Sequence, residues 1–351
     1  MKPLENMNSP VSCLLIAILL MAAPPASLHA EIRTFTSAAG TTLRGEFLSV
    51  DGDSVIIKKE DGSTITLKAT ALSRVDQAWL QGQGEQTAAS PAVATKDVPF
   101  INSLGMKFVP VPETTALMCI HETRRKDYAA YAAADSKVNG EWKKAKMLGK
   151  PVSEGDNDPV VSVSWEDARA FCEWLGKKEG KPYRLPTDRE WSIAVGIGDR
   201  EQANGSPQSL SQKLKNVYPW GTTWPIPQGA GNYYDTTNLK MLRPKKTDDR
   251  ASMTGFLDGF GYTDGFVFSA PVMSFTPNPL GIYDLGGNVW ELVEDQFSPV
   301  ETDIVFRGSS YGYDGPNNML SSARVHLPKD ARASHAGFRV VLELAQPPAR
   351  P

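Results

Sequence analysis

The densest chemistry in the chain lies in eight consecutive residues, Asp284-Leu285-Gly286-Gly287-Asn288-Val289-Trp290-Glu291. Two carboxylates seven residues apart flank a Gly-Gly turn, so both side chains and the intervening carbonyls can converge on one hard cation. Oxygen donors of this kind are what Ca²⁺ selects. An acidic turn closed by hydrogen bonds, without metal, accounts for the same residues. Soft donors are scarce: the cysteines are Cys13, Cys119 and Cys172, and none lies in the C-terminal half. His121, His326 and His335 contain no His-x-x-x-His pair, so each reads as a surface or hydrogen-bonding residue rather than a ligand. Gly308-Ser309-Ser310-Tyr311-Gly312 has the outline of a nucleophile elbow but joins no evident strand to a helix, and no phosphate-cradling glycine loop is present.

The elements that must position these residues are sparse. Ser164-Trp165-Glu166-Asp167 forms an N-cap with acids in the first turn, and Ala168, Phe171, Cys172 and Leu175 follow at helical spacing. Cys172 therefore faces a core as an inert small hydrophobe, the alternative being a disulfide with Cys119. A second helix starts at Thr187, three residues before Glu190, with Trp191, Ala194 and Val195 on one side. A third is expected over 122–134, with Tyr128 and Tyr131 as packing residues. The rest of 99–345 has too few alternating runs for a sandwich and too few helices for a bundle. Its loops must be ordered by side-chain hydrogen bonds, buried tryptophans or metal.

Ahead of this region the pattern differs. Residues 31–82 alternate as short strands, with Asp51-Gly52 and Asp61-Gly62 as hairpin turns, and Ser73 caps a helix whose Leu72 and Trp79 would close the sheet. A small all-β SH3-like barrel is expected. Residues 83–98 lack aromatic residues and read as a flexible linker, and 346–351 as a tail. Residues 1–30 carry Lys2, the apolar run from Leu14 to Ala23 and a Pro-containing stretch, as in a secretory signal peptide. The run is short for a membrane span, so no membrane insertion is expected after cleavage, a retained anchor being the alternative. Export to the periplasm or the extracellular space follows. With 37 Lys plus Arg against 40 Asp plus Glu, net charge -3, there is no electrostatic reason for a nucleic-acid partner.

Seven motifs then occur in a fixed order. They are Asn102-Ser103-Leu104-Gly105-Met106-Lys107-Phe108-Val109, the stretch from Pro159 to Ala168, and Tyr183-Arg184-Leu185-Pro186-Thr187-Asp188-Arg189-Glu190-Trp191. Tyr218-Pro219-Trp220-Gly221, the stretch from Leu280 to Glu291, Arg307-Gly308-Ser309-Ser310-Tyr311 and Gly337-Phe338-Arg339 complete the series. Together they resemble the sulfatase-modifying-factor (formylglycine-generating enzyme) family. The resemblance implies an α+β, C-type-lectin-like fold with little regular secondary structure. It implies one calcium site on the Asp284 and Glu291 side chains with the Gly287 and Val289 carbonyls. A second is implied on the Asn232 and Asp264 side chains with the Tyr233 and Phe266 carbonyls. Residues 31–82 are similar to the SLA1 homology domain 1 repeat of exported bacterial proteins, which binds peptides or serves as a stabilising appendage.

The resemblance stops at catalysis. Family oxidases bind copper through two cysteines five residues apart, and the matching positions here are Tyr313 and Asn318. Carboxylates and carbonyls do not replace soft thiolates for Cu(I). Sulfoxide synthases of the same fold hold iron with three histidines, largely from an added helical domain that this chain lacks. Copper and iron are therefore not expected. The expectation is an exported, non-catalytic, calcium-stabilised module whose groove, near Tyr311, Tyr313, Asn318, Arg324 and His335, takes a peptide, protein or glycan. The alternatives are a divergent metal-dependent oxidase using that groove, and a structural cell-envelope protein.

Overall fold

The computed structural model describes residues 32–51, 54–59, 61, 63–77, 79–80, 91, 94–242, 260–300, 302–313 and 315–344. The expected signal peptide, most of the expected linker and the expected tail lie outside the described residues. The chain divides into two compact units after Gly82.

The first unit is an antiparallel meander of β1 (Ile32–Thr36), β2 (Thr42–Asp51), β3 (Ser54–Lys59) and β4 (Thr64–Lys68). Asp51 pairs with Ser54, which places the expected tight turn between β2 and β3. Ser73 accepts the Asp76 N–H through its hydroxyl, as its capping role requires. Leu72 and Leu80 are buried with Phe35, Val55 and Ile57, and the Trp79 ring stands edge-on to Phe35 and Phe47 at 5.7 and 5.6 Å. Asp76 accepts from Arg33 and from the Thr36 N–H, pinning the closing segment to β1.

The second unit mixes helix and sheet with long irregular stretches. Its strands are β5 (Phe100–Ile101), β6 (Lys107–Pro110), β7 (Ala116–Cys119), β8 (Lys146–Met147), β9 (Lys150–Pro151) and β10 (Tyr183–Arg184). They continue with β11 (Trp290–Gln296), β12 (Ile304–Arg307), β13 (Val325–Leu327), β14 (Ala336–Phe338) and β15 (Val341–Glu343). One sheet has the order β10-β15-β7-β6-β5 and a second β13-β12-β11-β14, in which only β11 and β14 run parallel.

Three helices frame these sheets. In Trp165–Glu179 and Asp188–Ala194, Ser164 and Thr187 each cap in a complete capping box, as the spacing predicts. The first buries Ala168, Phe171, Cys172 and Leu175, and its Trp165 indole donates to the Val293 carbonyl of β11. Phe171 and Leu175 each contribute roughly 1.5–3 kcal/mol on burial. The third helix runs Arg125–Ala134, not from residue 122. Its Asp127 accepts from the Arg124 N–H and guanidinium, and Thr123 is held instead by bonds to Phe338 and Val160. Glu122 is thereby left outside the helix and turned into the protein. Among the described residues no helix is long and apolar enough to cross a membrane.

Candidate functional site

The Asp284–Glu291 motif leads into β11 through a backbone only glycine permits. Gly287 has φ +81° and its α-carbon lies against the Asn232 backbone, closer than any Cβ could be placed. At Gly286 an added Cβ would come within 2.6 Å of the Tyr233 hydroxyl. The Asn288 N–H donates to the Asn232 carbonyl at 2.8 Å, and the Asn232 amide donates to Asn288 Oδ1 at 3.1 Å. The two segments expected to hold calcium are thus zipped together.

Their acids are not equivalent. Glu291 is fully buried, and its carboxylate accepts from Arg339 at 2.5 and 2.7 Å and from the Trp191 indole at 3.0 Å. Asp284 accepts the Met273 N–H on Oδ2 at 2.8 Å, while Oδ1 is buried without a partner. Burial pushes the Asp284 carboxyl up to about 6. Asp264 accepts the Tyr233 and Phe266 N–H groups, each at 2.8 Å, and burial pushes it up to about 7. Asn232 Oδ1 beside it is buried and unpartnered.

These open oxygens test the fit of a hard cation. Asn232 offers a buried amide oxygen without a donor, and Asp264, which accepts the N–H of the next residue Tyr233, has no ion-pair partner among the described residues; the donor set is all oxygen, and the residues fit. At Asp284 the open Oδ1 fits, whereas Glu291 already has Arg339 as its cation. Among the described residues no three His, Cys, Asp or Glu side chains gather as a metal-binding group, so main-chain carbonyls would have to complete either site.

A further carboxylate lies in the same interior. Glu122 accepts from the Asn288 amide at 2.6 Å and from the Val289 N–H at 3.2 Å. Burial, with Asp284 and Glu291 nearby, holds it well above the usual carboxylate range. Sequence reasoning missed Glu122 because its partners are some 166 residues away.

Of the expected groove residues, Tyr313 stands edge-on to Trp290 at 5.6 Å and to His335 at 5.7 Å. Burial lowers His335, favouring its neutral form. Tyr311 is buried against Phe268 and donates its hydroxyl to the Ser334 carbonyl, while Asn318 is half-buried. The structure does not bring Arg324 to this group. It is buried in a network with Asp188 and Glu201, bonded to both at 2.8 Å, and Arg307 joins at Asp188. Placing Arg324 in the groove is corrected on that ground: a guanidinium with two carboxylate partners and no exposure cannot line an open surface.

The two described thiols are elsewhere. Cys119 and Cys172 are free and buried, so the disulfide alternative is not realised. Burial pushes the Cys119 thiol up to about 12 and raises Cys172 as well, the opposite of an activated thiolate. His121 beside Cys119 is held neutral by burial, which lowers it to about 3, and bonds the Glu122 carbonyl at 2.7 Å.

With this geometry in view, residues 73–344 match the sulfatase-modifying factor enzyme 1-like domain family. The chain belongs to that family. It is 32% identical over 213 residues to the inactive C-alpha-formylglycine-generating enzyme 2 of Bos taurus, covering 59% of this chain and 58% of that protein. It is 29% identical over 226 residues to the formylglycine-generating enzyme of Thermomonospora curvata, covering 56% and 60%. The chain thus spans less than two thirds of the length of these relatives. The structure of PvdO from Pseudomonas aeruginosa superposes with a TM-score of 0.46 and 23% identity, covering 65% of this chain and 80% of that one. In this family member the match begins within the closing segment of the first unit.

Proposed function

We propose that this family member is an exported, non-catalytic binding module, with a lectin-like main domain stabilised by calcium and an SH3-like appendage. One observation carries the reading: Tyr313 and Asn318 stand where the family's oxidases place thiolates, and the only described cysteines are buried with raised pKa values. A phenol and an amide are poor ligands for Cu(I). The identity shared with a protein named as an inactive formylglycine-generating enzyme supports the same view.

Calcium would be held at Asn232 and Asp264 with the Tyr233 and Phe266 carbonyls. A second ion would be held at Asp284 with the Gly287 and Val289 carbonyls, Glu291 being shared with Arg339. A bound ion would supply positive charge to interiors where buried acids lack it. The chain's own contribution is to keep Asp264 oriented by two backbone N–H groups. The ligand, a peptide, protein or glycan, would lie beside Tyr313 and His335.

The test incubates the purified chain with copper, oxygen and a peptide containing Cys-x-Pro-x-Arg, and follows aldehyde by mass. No conversion is expected. Multiple turnovers would falsify the non-catalytic reading, and stoichiometric iron or copper after purification would favour a divergent oxidase.

A further inference from the structure

A cavity of about 640 Å³ lies beside the Asp284 motif, and neither Tyr313 nor His335 lines it. Val195 and Ile282 give it aliphatic walls, and Tyr218 and Trp220, whose rings stack in parallel at 4.8 Å, give it an aromatic one. Its charged lining residues are two. Arg200 is exposed and makes no ion pair among the described residues, whereas Arg184, Arg307, Arg324 and Arg339 are each bonded to a carboxylate. Asp284 is the other, 6% exposed and with Oδ1 unpartnered.

We propose that this cavity binds an aromatic or aliphatic carboxylate, with Arg200 as one charge partner and the cation site at Asp284 as the other. The inference rests on the calcium reading given above. Its logic is the sign of the wall. With Asp284 bare, the cavity presents one positive and one negative group, and a carboxylate gains at Arg200 what it loses near Asp284. With a divalent cation on Asp284, both charged groups of the lining are positive, and its apolar walls suit an anion with a hydrophobic body. Asp284 is shared by the cavity and the cation site, so the two ligands must influence each other's affinity by one and the same factor. An amine of the same shape has the opposite preference.

The full chain is titrated with calcium alone, and then with phenylacetate and with phenethylamine, in calcium and in chelator, by calorimetry. Phenylacetate should bind at least about tenfold more tightly in calcium than in chelator, and phenethylamine should not bind in calcium. Arg200→Gln should weaken phenylacetate by about tenfold while leaving calcium affinity unchanged. Asp284→Asn should remove the calcium dependence. Calcium binding without phenylacetate binding, or phenylacetate binding indifferent to Arg200→Gln, overturns the proposal and leaves the calcium reading standing. Absence of calcium binding overturns both, and an amine preference in calcium overturns the assignment of charge.

Discussion

Asp188 and Asp284 are both buried carboxylates of the second unit, yet one is clasped by two guanidinium groups and the other has an oxygen with no partner. Asp188 accepts from Arg307 at 2.5 Å and from Arg324 at 2.8 Å, and these arginines hold its carboxyl below its ordinary value despite burial. Asp284 and Asp264 are raised by the same burial because no such cation is bonded to them. The difference separates scaffold from site. A buried acid with its cation built into the chain fixes the fold, and the acids without one are what support the calcium proposal.

That contrast is broken most severely at its paired end. Asp188→Asn leaves the buried Arg307 without a carboxylate partner and Arg324 with Glu201 alone, and about 3–5 kcal/mol of stability should be lost, read as a lower denaturation midpoint at constant slope. A loss under 1 kcal/mol would mean that solvent reaches the network. At the unpaired end, calcium at a hundredfold excess over the Kd of the Asp264 site should add about 2.7 kcal/mol from that site. Asp264→Asn should abolish that site's gain, measured against the same variant in chelator, because its amide nitrogen cannot accept the backbone N–H that one Asp264 oxygen now accepts.

The pH response sharpens the same distinction. Asp188 has a folded-state pKa below its ordinary value of 3.8, so its ion pairs stabilise above that value and the contribution drains away as pH falls through the folded one. Acid unfolding of Asp188→Asn should accordingly be flatter than wild type below about pH 4, in circular dichroism. The smallest effect is expected at the groove, where Asn318→Ala should change stability by no more than about 0.5 kcal/mol, as for a partly exposed residue outside any network. A larger change in thermal melting would make Asn318 structural.

The helices were legible because their signals are local: Ser164 with Asp167 and Thr187 with Glu190 lie within one turn of each other. The hairpins of the first unit were legible for the same reason. The start of the third helix was misjudged at Glu122, because what decides it is a set of bonds to Val160 and Phe338, far along the chain. The placement of Arg324 failed likewise, as no local pattern tells a buried arginine from an exposed one when its carboxylates stand 136 and 123 residues away. That Glu291 is bonded to Arg339 could not be read from its motif, and neither could the cavity at Arg200, since both are properties of packing.

Asn232 has one further consequence. Its carbonyl and amide both grip Asn288, so the loop that carries Asp264's neighbours and the loop that carries Asp284 move as one piece. Whatever locks either loop also narrows the motions of the other, and two equivalents of an ion would therefore load with a Hill coefficient above one rather than independently.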